Sequence, residues 1–79
     1  MKIFYISTSV TYTVPNDGEP YSDEESYTFI ISEKSKKIAK LMAKQQSLET
    51  FNEEINDSFE NIQFKITECY ETSDDATAN

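Results

Sequence analysis

Fifteen carboxylates, seven lysines, five tyrosines and one thiol are the side chains in this 79-residue sequence with the most chemistry to offer. A carboxylate pair can run acid–base hydrolysis, but it needs a cleft, and a chain this short offers little concave volume. The stretch from Asn16 to Glu25 invites comparison with a calcium loop, because Gly18 and Glu24 stand at the interval that loop requires. Its first and third positions would then be Thr13 and Pro15, which supply no carboxylate, so a solvated acidic turn is expected instead. Cys69 is the single thiol, and the chain has no His to activate it. Its charged neighbours in sequence, Glu68 and Glu71, are acids, and no cation stands beside it to activate it. The Ser and Thr hydroxyls lack a His base in the same way, and the lysines sit in an amphipathic, exposed pattern rather than a buried one. No enzymatic activity, metal or cofactor is therefore expected.

What remains is charge and where it sits. The formal net charge is −8, and all seven cations are lysines. Residues 1–32 hold one lysine against five acids. Residues 33–44 hold five lysines against Glu33, and residues 45–79 hold one lysine against nine acids. One short basic segment is set between acidic flanks. Such a field repels phosphate, so direct nucleic-acid binding is not expected. No apolar run approaches the roughly 20 residues that span a bilayer. The N-terminus does not read as a signal peptide, and one cysteine forms no internal disulfide, so a cytoplasmic location is expected.

The elements that must carry these groups are legible as periodicities. Residues 2–14 alternate, with Phe4, Ile6, Val10, Tyr12 and Val14 on one parity, which predicts a long strand. Pro15 to Pro20 is turn chemistry, and the loop is expected to run to about Glu25. Tyr27, Phe29 and Ile31 then mark a second strand, pairing with the first as a hairpin with an acidic tip. Ser32 is a candidate cap for a helix over about 33–45, built on Ile38, Leu41, Met42 and Gln45. Ser47 is a candidate cap for a second helix over about 48–57, built on Leu48, Phe51 and Ile55. Ile62, Phe64 and Ile66 predict a third strand, with Tyr70 continuing the apolar parity and Cys69 on the opposite face.

The expected fold is α+β: a single-layer, three-stranded, mostly antiparallel sheet with two helices on one face, in the order ββααβ. Residues 1–70 form one domain, and 71–79 a disordered acidic tail. The third strand is placed beside the first. The helices bring Ile38, Leu41, Met42, Leu48, Phe51 and Ile55 to the sheet. The other sheet face, with Tyr5, Ser7, Ser9, Thr11, Thr28, Lys65 and Thr67, is left for solvent or a partner.

Among possible contact residues, Tyr12 and Tyr27 read as core, and Tyr5 and Tyr21 as exposed contacts. Tyr70 has both readings. The helix lysines read first as a solubility feature, and otherwise as a small patch for phosphate or an acidic protein. The carboxylates fall in two groups. Asp23, Glu24 and Glu25 lie at the expected hairpin tip, and Glu49, Glu53, Glu54 and Asp57 lie along the expected short helix. Holding so much like charge on so small a domain works against its stability. Carboxylates arranged along a surface can enter a Lys- and Arg-lined groove that otherwise holds phosphates.

In size, charge, element order and the acidic runs Ser22-Asp23-Glu24-Glu25 and Asn52-Glu53-Glu54, the chain resembles small acidic phage-encoded proteins of the anti-CRISPR type. The resemblance is to a class over the whole chain, without a diagnostic motif. It implies a non-catalytic inhibitor in the host cytoplasm that binds a CRISPR effector complex and blocks its nucleic-acid site, with DNA mimicry through the acidic surface as one route. The lysine segment departs from a uniformly acidic mimic. The alternative is a structural or adaptor module, monomeric or weakly homodimeric through the open sheet face or an edge.

Overall fold

The computed structural model describes residues 2–15, 17–54 and 59–72. Its elements are β1 (Lys2–Val14), β2 (Tyr21–Glu33), α1 (Lys36–Glu54) and β3 (Glu60–Thr72). The sheet order is β2-β1-β3, and both pairings with β1 are antiparallel. β3 therefore lies beside β1 as expected, and α1 carries the chain across one face from one edge strand to the other. Among the described residues, no helix is long and apolar enough to cross a membrane.

β1 is the central strand, and its even-numbered residues explain why. Phe4, Ile6, Thr8, Val10 and Tyr12 are all buried. They face α1, which inserts Ala39, Ala43, Ser47 and Phe51 at a spacing of four. The two alanines let the helix backbone approach the sheet closely. That fixes the helix rotation and turns Ile38 and Leu41 outward, the latter 58% exposed. The expectation that those two residues fill the core is corrected accordingly. Ile62, also expected in the core, is exposed as well.

One helix replaces the expected two, so the order is ββαβ. Nothing between Gln45 and Leu48 breaks a helix, since the stretch holds neither Gly nor Pro. Ser47, expected as a cap, is instead buried in mid-helix. Its hydroxyl lies 2.6 Å from that of Thr8, so each satisfies the other. The helix also starts later than expected. Ser35, not Ser32, caps it: the Ile38 amide donates to Ser35 Oγ at 3.5 Å, and the Ala39 amide to the Ser35 carbonyl at 3.0 Å.

The Thr8–Ser47 pair sits between two core clusters. Phe4, Ile6, Ile31, Ala39 and Ala43 form one, joined by Phe29, Met42, Ile66 and Cys69. Val10, Tyr12 and Phe51 form the other, joined by Val14, Tyr27, Leu48, Phe59 and Phe64. The second is aromatic: the Tyr12 and Phe59 rings stack with centroids 4.7 Å apart, and Phe51 tilts against Tyr12 at 5.1 Å.

β3 contains two irregularities. Ser7 pairs with Glu68 but Thr8 with Ile66, so Thr67 is an extra residue in the ladder. That bulge reverses the facing of every residue after it. Cys69 accordingly packs against the core, and Tyr70 stands on the open face, which corrects both expectations. The second shift lies between Thr11 and Thr13, beside Asn61, whose φ of 53° is in the left-handed region. β3 continues to Thr72, so Glu71 and Thr72 belong to the sheet, and residues 73–79 lie outside the described residues.

Candidate functional site

The acidic triplet Asp23-Glu24-Glu25 is not at a hairpin tip. β2 begins at Tyr21 because its ladder with β1 continues to Val14, leaving residues 15–20 as the loop. Within a strand, successive side chains point to opposite faces. Asp23 pairs with Tyr12 and Glu25 with Val10, on the helix side. Glu24 pairs with Thr11 on the open side, where Ser9 Oγ donates a hydrogen bond to its Oε2. Ser9 is only 1% exposed although it lies on the open face. The triplet is therefore split: Glu24 serves the sheet, while Asp23 and Glu25 join a different group.

That group forms where the last turns of α1 approach the hairpin. Asp23, Glu25 and Glu54 surround two phenols. Burial, and after it the charges of Asp23 and Glu25, raise the Tyr12 phenol above its ordinary value. Burial, and after it the charges of Glu54 and Glu25, do the same to Tyr27. Tyr12 Oη makes a long contact of 3.5 Å to Glu25 Oε1. Tyr27 Oη is buried and finds no hydrogen-bond partner among the described residues. Glu49 and Glu53 are exposed on the same end of the helix, and Gln45 Nε2 donates to Glu49 Oε1 at 3.2 Å. Asp57 and Ile55 lie outside the described residues. Tyr21 is exposed at the start of β2, as expected.

The opposite half of α1, with Lys34 just before it, is basic. Lys34, Lys36, Lys37, Lys40 and Lys44 are exposed, and among the described residues none of them pairs with a carboxylate. Lys44 Nζ lies 5.9 Å from the Phe64 ring centroid. Lys2, on β1, pairs with Glu71 at 3.9 Å on the surface. The helix charges run against its dipole: the first turn carries Lys36 and Lys37 with no acid, and the last carries Glu53 and Glu54 with no base. Each such placement costs about 0.3–1 kcal/mol relative to the opposite sign.

The open face carries a row that sequence periodicity missed. Ile30, Tyr5 and Tyr70 stand opposite one another across the three strands. The tyrosine rings stack at 4.9 Å, and Ile30 is 74% exposed. Tyr5 is thereby half-buried rather than a free contact residue. The missing signal was the Thr67 bulge, which carries no Gly and leaves the sequence alternation looking nearly intact.

Chemically, the arrangement offers solvent-facing carboxylates at one end, solvent-facing ammonium groups at the other, and an open sheet face crossed by the Ile30–Tyr5–Tyr70 row. Among the described residues no three Cys, Asp or Glu side chains converge as a metal-binding set. No family model, curated protein or solved structure matches the chain.

Proposed function

We propose that the chain is a non-catalytic inhibitor of the anti-CRISPR type, acting in the host cytoplasm. It binds a nucleic-acid-binding protein complex and occupies the basic surface that otherwise holds the polynucleotide. The contacts come from Asp23, Glu25, Glu49, Glu53 and Glu54 at the acidic end of α1, with Tyr21 at its margin. Glu24 is set apart as a residue that holds Ser9. One observation carries this reading: the helix keeps lysines at its start and glutamates at its end. That order opposes its own dipole, so the charges are not there to stabilise the helix. Residues that break a local rule without a folding benefit are expected where function selects them.

The experiment is displacement of labelled nucleic acid from CRISPR effector complexes of several types. The reading expects stoichiometric displacement from at least one complex, weakening steeply with added salt. A Glu49→Lys, Glu53→Lys, Glu54→Lys variant is expected to lose it. Displacement by that variant at wild-type strength contradicts the reading.

A further inference from the structure

β2 is an outermost strand of 13 residues, and its free edge is regular along its whole length. The other outer strand, β3, is interrupted twice, at Thr67 and beside Asn61. Bulges of that kind discourage edge pairing, and β2 has none. Its middle, Ser26 to Ser32, holds seven residues without charge, Pro or Gly, among them Tyr27, Phe29, Ile30 and Ile31. This is the composition that pairs readily with another strand.

The charges on either side of that stretch decide what the other strand is. Asp23, Glu24 and Glu25 precede it, and Glu33 and then Lys34, Lys36 and Lys37 follow it, so the flank before it is acidic and the flank after it is net basic. An antiparallel copy of the same strand, related by a two-fold axis near Ile30, brings Asp23, Glu24 and Glu25 of each chain toward Lys34, Lys36 and Lys37 of the other and sets Glu33 opposite Tyr27 rather than opposite an acid. Asp23 and Glu25 point to the helix side, the side on which α1 begins with Lys36 and Lys37. The strand and the residues that follow it thus carry both halves of a complementary set in the order an isologous contact requires.

We infer that two copies of the chain pair antiparallel along their β2 edges, joining their sheets into one of six strands. Main-chain hydrogen bonds along Ser26–Ser32 form the seam, and four charge clusters, two at each end, fix its register. The pairing also doubles the exposed row on the open face, because Ile30 of each copy comes next to the seam. This contact is a property of the chain alone and does not rest on the inhibitor reading; it competes with that reading's partner for Asp23 and Glu25 and leaves Glu49, Glu53 and Glu54 outside the seam.

Sedimentation equilibrium of the isolated protein tests it. The wild type is expected to dimerise, with dissociation strengthened by salt. Two variants separate the ends: Asp23→Lys with Glu25→Lys, and Lys34→Glu with Lys36→Glu and Lys37→Glu. Each alone is expected to weaken self-association by roughly tenfold or more. An equimolar mixture of the two is expected to form a heterodimer, since one end of the seam then keeps its native charge pairs and the other has them restored in reverse. Ile30→Lys is a second probe: Ile30 contributes little to the core, and its substitution sets like charges close together at the seam. Circular dichroism verifies that each variant is folded. A wild type that stays monomeric to millimolar concentration overturns the inference. So does a dimer that Ile30→Lys and both charge reversals leave unchanged, or a failure of the folded mixture to associate.

Discussion

The two ends of the molecule bury one helix on one sheet by different means. Under the lysine half of α1 the core is aliphatic, and Ala39 and Ala43 let the helix lie close to Phe4 and Ile6. All the charge at that end is outside. Under the glutamate half, Phe51, Tyr12 and Phe59 pack ring against ring, and Asp23 and Glu25 stand on the same side of the sheet as the core. The basic end therefore keeps charge and packing apart. At the acidic end they meet at two phenols, so the surface carboxylates there also act on buried groups of the fold.

That contrast is broken most severely at Phe51. Phe51→Ala removes the ring joining α1 to Tyr12, and calorimetry or urea unfolding is expected to register a loss of about 3–5 kcal/mol. In a domain of this size, that is a large share of the total stability. Overpacking the other end by Ala43→Leu is expected to cost less, about 1–3 kcal/mol, because a closely approached helix has to shift.

The boundary between the two ends is the Thr8–Ser47 hydroxyl pair. Thr8→Val or Ser47→Ala alone leaves one buried hydroxyl without its partner, at a cost of about 1–3 kcal/mol. The double variant is expected to be less destabilised than the two singles predict together, and a double-mutant cycle in urea measures the difference. Strict additivity would mean the two hydroxyls do not depend on each other.

The phenols sharpen the comparison through pH. Tyr12 and Tyr27 have folded values above the unfolded value of about 10. The folded state thus holds these protons more tightly than the unfolded state does. Their contribution is fully present below about pH 10 and is lost as pH rises through the folded values. Alkaline titration of stability is expected to show a fall there, reduced in Tyr12→Phe and in Tyr27→Phe. Tyr27→Phe also removes a buried hydroxyl with no partner among the described residues, and is expected to be neutral or about 1 kcal/mol more stable at pH 7.

Much of this fold was legible in the sequence. Period-two alternation gave β1 to the residue, and the class of fold follows from three such runs and one helical stretch. What misled was chemistry that permits two outcomes. Ser47 is a good cap and also small enough for a close helix contact. Ser22 to Glu25 look like loop residues by composition, yet a long partner strand held them in register. The candidate site was legible in part. The acidic groups were found, but their division between faces followed from where β2 began, and the open-face row followed from a bulge without a sequence marker.

The smallest structural effect goes with the most direct test. Glu53→Lys with Glu54→Lys restores the favourable sign at the helix end and is expected to stabilise the fold by about 0.3–1 kcal/mol per residue. The decisive measurement is the affinity of this folded variant for an effector complex that the wild type binds. The account expects binding to fall by an order of magnitude or more while thermal stability rises. Unchanged affinity in a variant that is equally or more stable would show that the acidic end of α1 does not face the partner.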